Sequence, residues 1–303
     1  MTTRHFLTLF DLEPATLKQL VTRAGALKRQ HREGKAHMPF AGKVLAMVFE
    51  KASTRTRVSF EAGMAQLGGA SMFLSPRDTQ LDRGEPVEDM ARVMSRMVDV
   101  IVIRANNHEM VERFATHSQV PVINALTDLH HPCQLLADIQ TYVEARGDIA
   151  GRTVGWVGDG NNVCHSWMQA ARQFGFTLRV ATPKGYEPNA EITSACGSSV
   201  VLLKDPREAV RGADAVVTDT WASMGQEEEK AQRLKDFAGY TVDRALMGLA
   251  HPKALFLHCL PAYRDYEVTS DVIDGPQSVV WDEAENRLHA QKALLEHLLA
   301  GKA

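Results

Sequence analysis

Short unbroken apolar runs alternate along this chain with longer stretches of helical periodicity. Residues 44–49 (Val-Leu-Ala-Met-Val-Phe) contain no polar alternation, which is the mark of a strand buried on both faces of a parallel sheet. Before them, residues 12–32 place Leu17, Leu20, Val21, Ala24 and Leu27 on one side of a predicted helix that Gly34 ends. A helix over 53–67 follows, with Val58, Phe60, Met64 and Leu67 read as its apolar face. The pattern then predicts strands at 70–74, 100–104 and 121–124 and helices at 87–97, 108–117 and 135–145. Residues 75–86 are polar, rich in turn formers and long for an internal connection, as binding loops are.

A turn-rich break at 147–151 separates this half from a second alternation. There the strands fall at 152–157, 177–181, 200–203, 213–218 and 254–258, with a helix at 161–174 and an amphipathic terminal helix at 283–299. The fold class that follows is α/β: two Rossmann-like, doubly wound parallel-sheet domains with an active-site cleft between them. The expected domains are residues 1–145 and 146–283, with the segment 284–303 packing back on the first.

Composition narrows the function classes. The 303 residues are 45% hydrophobic and 23% charged, ordinary for a globular protein, and the net charge of −3 argues against a nucleic-acid surface. No apolar run reaches the length of about 18 residues needed to span a bilayer. The start, Met-Thr-Thr-Arg-His-Phe-Leu, lacks a signal-peptide core, so the cytoplasm is the expected location. Cys133, Cys164, Cys196 and Cys259 show no Cys-x-x-Cys spacing, which fits free thiols in a reducing compartment.

Chemistry gathers where predicted strands end. Ser53-Thr54-Arg55-Thr56-Arg57 joins the 44–49 strand to the next helix, so hydroxyls, two guanidinium forks and a helix N-terminus converge on a site suited to an anion. Arg104, His131 and Gln134 follow other strands of the same sheet, and the loops after parallel strands converge on one rim. Three arginines and a histidine there suit a small, doubly charged ligand. In the second half, Gly158-Asp159-Gly160-Asn161-Asn162, Asp219 with Ser223-Met224-Gly225, and His258-Cys259-Leu260-Pro261 also follow strands. A paired Asp219 and Cys259 would attract a cationic amine and help remove its proton.

Two other readings have less support. Gly158-x-Gly160 is half of a dinucleotide fingerprint, but Val163 stands at the third glycine and no acidic residue ends the next strand. A zinc site from His131, Cys133, His258 and Cys259 matches no zinc spacing.

Taken together, Ser53-Thr54-Arg55-Thr56-Arg57, His131-Pro132-Cys133-Gln134, Asp219 with Ser223-Met224-Gly225, and His258-Cys259-Leu260-Pro261 resemble the ornithine branch of the carbamoyltransferase family. The resemblance runs from the N-terminal helix to residues 285–289. In the aspartate branch an arginine-bearing Pro-Leu-Pro-Arg type loop reads the second carboxylate; here the corresponding loop is Cys259-Leu260-Pro261-Ala262. The resemblance implies that carbamoyl phosphate is held by Ser53, Thr54, Arg55, Thr56, Arg57, Arg104, His131 and Gln134. Cys259, Leu260 and Arg287 complete that site, and Gln80 reaches it from a neighbouring subunit of a trimer. Ornithine is held by Asn162, Asp219, Ser223 and Met224.

The implied activity is transfer of the carbamoyl group to ornithine in arginine metabolism, with Arg104, His131, Cys259 and Asp219 at the reaction centre. No metal or other cofactor is implied, and the oligomer is a homotrimer or a multiple of trimers. His165 stands where the resemblance leads to an asparagine; it either touches the amino-acid end of the substrate or faces the interior. Two further possibilities stay open. One is another amine acceptor, such as putrescine or an N-acylated ornithine. The other is a non-catalytic phosphate-binding module on the same fold.

Overall fold

The computed structural model describes residues 4–79, 84–221 and 229–299. The chain divides into two compact units, residues 1–140 with 285–303 and residues 141–284. In the first, α1 (Pro14–Arg32) opens on a proline, whose missing N–H has no partner at that position anyway. Its buried side is the stripe Leu17, Leu20, Val21, Ala24 and Leu27 that the periodicity predicts. The alternation then runs β1 (Val44–Phe49), α2 (Thr54–Gln66), β2 (Ala70–Leu74), α3 (Val87–Met94), β3 (Val100–Arg104), α4 (His108–His117), β4 (Val122–Leu126) and α5 (Pro132–Arg146). The four strands are parallel in the order β2-β1-β3-β4, and every residue of β3 is buried.

Two sequence expectations change here. Phe60, Met64 and Leu67 are fully buried, but Val58 is 56% exposed. Two residues on a helix are about 200° apart, so Val58 and Phe60 lie on opposite faces. The helix expected over 87–97 ends at Met94, and Met97 projects into solvent.

The second unit continues with β5 (Thr153–Val157), α6 (Asn162–Phe174), β6 (Thr177–Ala181), α7 (Ala190–Cys196), β7 (Val200–Leu203) and α8 (Pro206–Val210). It is completed by β8 (Ala215–Val217), α9 (Lys230–Asp236), α10 (Arg244–Met247), β9 (Leu255–Leu257), α11 (Ser270–Ile273) and the start of α12 (Val280–Leu299). Its sheet is also parallel, in the order β7-β6-β5-β8-β9. Both orders reverse direction beside the unit's first strand, between β1 and β3 and between β5 and β8. In open parallel sheets, ligands bind beyond the carboxyl ends of the strands at such reversals.

Gly155 in β5 admits α8 at close range: an added Cβ would lie 2.9 Å from the Ala209 carbonyl oxygen and 3.1 Å from Val210 Cα. Those neighbours are backbone and cannot rotate away. Gly155→Ala should lower unfolding free energy by about 1–3 kcal/mol. An unchanged urea midpoint would contradict that packing.

Residues 285–299 of α12 belong to the first unit and lie along α1. Glu296 accepts from Arg23 Nε at 2.6 Å, and Lys28 Nζ donates to Asn286 at 2.7 Å. His289 is buried in this contact, and burial first, then the charge of Lys292, lowers its pKa to about 4. In the unfolded chain the imidazole titrates near its ordinary value of about 6.5. Between those values the unfolded chain binds a proton that the folded one does not. The stability is therefore whole above pH 6.5 and is lost as pH falls toward 4. Urea unfolding at pH 7 and pH 5 should show a smaller difference in His289→Asn than in the unaltered protein.

Candidate active site

In the first unit, the carboxyl ends of β1, β3 and β4 deliver the expected residues. Ser53 is the N-cap of α2: its Oγ accepts from the Thr56 N–H at 3.4 Å and donates to Thr56 Oγ1 at 3.0 Å. Thr56 Oγ1 also accepts from Arg287 Nη2 at 3.2 Å, which uses its lone pairs and leaves its own proton as a donor. Arg287 Nη1 donates to Gln134 Oε1 at 2.6 Å, and Gln134 Nε2 donates to Asp138 Oδ1 at 2.8 Å. One buried chain of hydrogen bonds thus joins the β1–α2 turn, the start of α5 and α12.

His131 is buried beside this chain. Its pKa lies well below the ordinary imidazole value, through burial first and then the charges of Arg287, Arg104 and Arg55. The ring is therefore neutral at physiological pH and can donate one hydrogen bond without carrying charge. The same three guanidinium groups identify the positive region as Arg55, Arg104 and Arg287. Arg104, at the end of β3, is itself buried.

Arg57 is placed differently from Arg55. Its Nε donates to Glu61 at 2.9 Å, its guanidinium lies 4.0 Å over the Phe73 ring, and its side chain is 47% exposed. Thr54 is exposed at the same helix start. Gln80 lies outside the described residues. Cys133, one member of the weighed zinc set, is a buried thiol that donates to the Asn124 carbonyl at 3.4 Å, and burial raises its pKa to about 12. It is neither a nucleophile nor a ready metal ligand.

In the second unit, Asp219 follows β8 and Cys259 follows β9. Cys259 Sγ donates to Asp219 Oδ1 at 3.2 Å, so the thiol–carboxylate pair expected from the sequence is formed. Asn162 opens α6 and is half-buried. Ser223 and Met224 lie outside the described residues. Leu260 adopts a left-handed conformation (φ 58), rare for a γ-branched side chain, and its N–H donates to His258 Nδ1 at 2.9 Å. That bond assigns the ring proton of His258 to Nε2, which faces Glu267 Oε1 at 3.2 Å. The His258 backbone N–H is held in turn by Glu283 Oε2 at 2.9 Å.

Asp219, His258 and Cys259 bring one potential metal donor each within 4.8 Å. Both His258 nitrogens already have partners, which leaves two donors, fewer than the four of a structural zinc or the three of a catalytic one.

Asn161 and Asp159 belong to the cluster that the sequence places after a strand, but the bonds they make, and Arg233, were not singled out by sequence reasoning. Asn161 Nδ2 donates to Asp219 Oδ2 at 2.7 Å. Arg233 Nη1 donates to Asp159 Oδ2 and to the Trp221 carbonyl, both at 2.8 Å. Burial raises Asp159 to about 6 against the pull of Arg233. The choice left open for His165 is decided by its ring, whose Nε2 accepts from the Asn189 N–H at 3.0 Å. It thereby secures the residue that caps α7. Gly160 makes room for the protein's own backbone: an added Cβ would lie 2.3 Å from Pro188 N.

The two parallel sheets, one carrying an arginine–histidine anion cradle and the other a thiol–carboxylate pair, define an α/β protein equipped for acyl-phosphate chemistry with an amine. Family models agree with that class. The carbamoyl-P binding domain of aspartate/ornithine carbamoyltransferase matches residues 4–144, and the Asp/Orn binding domain matches residues 150–298. The chain belongs to the aspartate/ornithine carbamoyltransferase family. It is 64% identical over 301 residues to an ornithine carbamoyltransferase of Nitrosococcus oceani, with 99% of each chain covered. With the ornithine carbamoyltransferase of Methylococcus capsulatus it shares 62% over 299 residues, again 99% of each. Among solved structures, the ornithine carbamoyltransferase of Pyrococcus furiosus superposes with a TM-score of 0.94 at 49% identity, over 100% of this chain and 98% of that one. The one from Burkholderia thailandensis gives 0.92 at 51%, over 99% and 100%.

Proposed function

We propose that this protein transfers the carbamoyl group of carbamoyl phosphate to the δ-amine of L-ornithine, giving L-citrulline and phosphate, as a step of arginine metabolism. The observation that carries the proposal is the grouping of Arg55, Arg104 and Arg287 around a neutral His131 in a chain 64% identical to an ornithine carbamoyltransferase. The first unit takes carbamoyl phosphate. Its phosphate meets Arg55 and the N-terminus of α2, where backbone N–H groups and the helix dipole favour an anion. Thr56, Arg104 and His131 donate to the carbonyl oxygen as it gains charge in the tetrahedral intermediate. Arg287 and Gln134 hold Thr56 and each other in place for that role.

The second unit takes ornithine, through Asn162, Asp219 and, outside the described residues, Ser223 and Met224. The amine nitrogen forms a bond to the carbamoyl carbon, the bond from that carbon to the phosphate oxygen breaks, and phosphate departs with the electron pair. An amine with a solution pKa of about 10 must first give up a proton, and the Asp219–Cys259 pair is the acceptor. The positive charge that stabilises the leaving phosphate comes from arginines, so the reading includes no cofactor.

Ornithine is preferred over putrescine as acceptor because Asn162 is a polar partner that an α-carboxylate or α-amine needs and putrescine does not. Among the described residues no helix is long and apolar enough to cross a membrane. The reading places the enzyme in the cytoplasm as a homotrimer or a multiple of trimers, with Gln80 completing a neighbour's site. Citrulline and phosphate should appear in equal amounts only when both substrates are supplied. Phosphate release without citrulline would leave a carbamoyl phosphate hydrolase or binding module instead.

A further inference from the structure

Asn161 performs two tasks with one amide. Its Oδ1 accepts from the Val163 and Cys164 N–H groups, at 3.0 and 3.1 Å, and so caps α6. Its Nδ2 donates to Asp219 Oδ2 at 2.7 Å. The orientation of the amide is not ambiguous, because an oxygen must face the two helix donors and a nitrogen must face the carboxylate. Capping by itself does not select this residue, since asparagine, aspartate and serine cap helices about equally well. Of the three, only asparagine offers a planar oxygen to the helix and an N–H to a carboxylate on the other side.

The consequence falls on Asp219. With Oδ2 held by Asn161, the remaining oxygen, Oδ1, is presented to Cys259 Sγ at 3.2 Å. Asp219 is buried, and a second carboxylate, Asp159, is close enough for their charges to interact. A carboxylate in that setting needs hydrogen bonds on fixed sides to keep one lone pair aimed at the thiol. The donor that fixes it is built into the N-terminus of a thirteen-residue helix, a rigid support.

We propose that Asn161 is a positioning residue of the amine half-site, locking Asp219 so that one carboxylate oxygen always faces Cys259. This rests on the function proposed above, and it assigns to Asn161 a role separate from substrate contact.

Asn161→Asp tests it, because the new side chain caps α6 as before while replacing the donor to Asp219 with a second negative oxygen. Three results are expected together. The KM for carbamoyl phosphate stays at its original value, and the melting temperature falls at neutral pH but recovers as pH is lowered and the carboxylate pair takes up a proton. The kcat with ornithine falls by about 100-fold, the scale of a misplaced catalytic group. The acid limb of kcat/KM for ornithine moves to higher pH, since two adjacent carboxylates cannot both ionise easily. Asn161→Ser, which keeps a capping oxygen and adds no charge, should lose kcat without the pH shift. Unaltered kcat in a folded Asn161→Ser, or an unaltered kcat and pH profile in a folded Asn161→Asp, would overturn the assignment.

A separate readout keeps this distinct from the proposed reaction. Cys133, Cys164 and Cys196 are buried, so iodoacetamide reports on the part-exposed Cys259. At a fixed alkaline pH, alkylation of Cys259 should slow in Asn161→Asp, because the added carboxylate opposes thiolate formation. If the unaltered protein makes no citrulline, the function fails while this measurement still decides the positioning claim. Equal alkylation rates would overturn that claim whatever the reaction is.

Discussion

Arg55→Met should lower kcat/KM for carbamoyl phosphate by at least about 100-fold, while Arg57→Met should change it by no more than a few-fold. The two arginines sit two residues apart in one motif, yet their surroundings differ. Arg55 is one of the charges that depress His131, so its charge is felt at the group that meets the carbonyl. Arg57 is held by Glu61 and lies over Phe73, on the other side of α2. Removing a charge from a desolvated ion contact costs about 2–5 kcal/mol, which is the larger effect expected for Arg55. An exposed i,i+4 pair such as Arg57–Glu61 is worth about 0.3–0.5 kcal/mol, so its loss leaves the site intact. Saturation kinetics with carbamoyl phosphate varied at fixed ornithine would read both. Equal losses in the two variants would show that Arg57 turns into the site when the phosphate binds.

Asp219→Asn should reduce kcat by roughly 100- to 10,000-fold, the range for loss of a positioned proton acceptor. The amide keeps the shape of the carboxylate but cannot take a proton, and its nitrogen or oxygen will be mismatched with either Asn161 Nδ2 or Cys259 Sγ. Carbamoyl phosphate affinity should be unaffected, since the cradle around His131 belongs to the other unit. A direct titration with carbamoyl phosphate separates the two effects. Weakened binding of that substrate would contradict the division of roles between the units.

The architecture was legible because strands of a parallel sheet are continuous apolar runs, as in residues 44–49 and 100–104, and the helices between them are long enough to show a period. The short helices α7 to α11 span four to seven residues, less than two turns, and leave no periodic signal. At the site, Ser53, Thr56, Arg104, His131, Gln134 and the Asp219–Cys259 pair could be picked out because each follows a strand.

What the sequence could not resolve was direction. Successive arginines at positions 55 and 57 read as a pair, but a helix turns them about 200° apart. His165 offered two orientations, and only the position of the Asn189 N–H chose between them. Asn161 stood only as one member of the Gly158–Asn162 cluster, with a role given to Asn162 alone. Its second bond is to a residue 58 positions away, a contact that only the fold creates.

The identity of the acceptor is what most directly distinguishes the proposed reaction. Steady-state rates with carbamoyl phosphate should be measured for L-ornithine, N-acetylornithine, putrescine and L-aspartate under one set of conditions. Ornithine should give the highest kcat/KM, with citrulline and phosphate formed in equal amounts. An equal or higher value for any of the other three would contradict the proposed function.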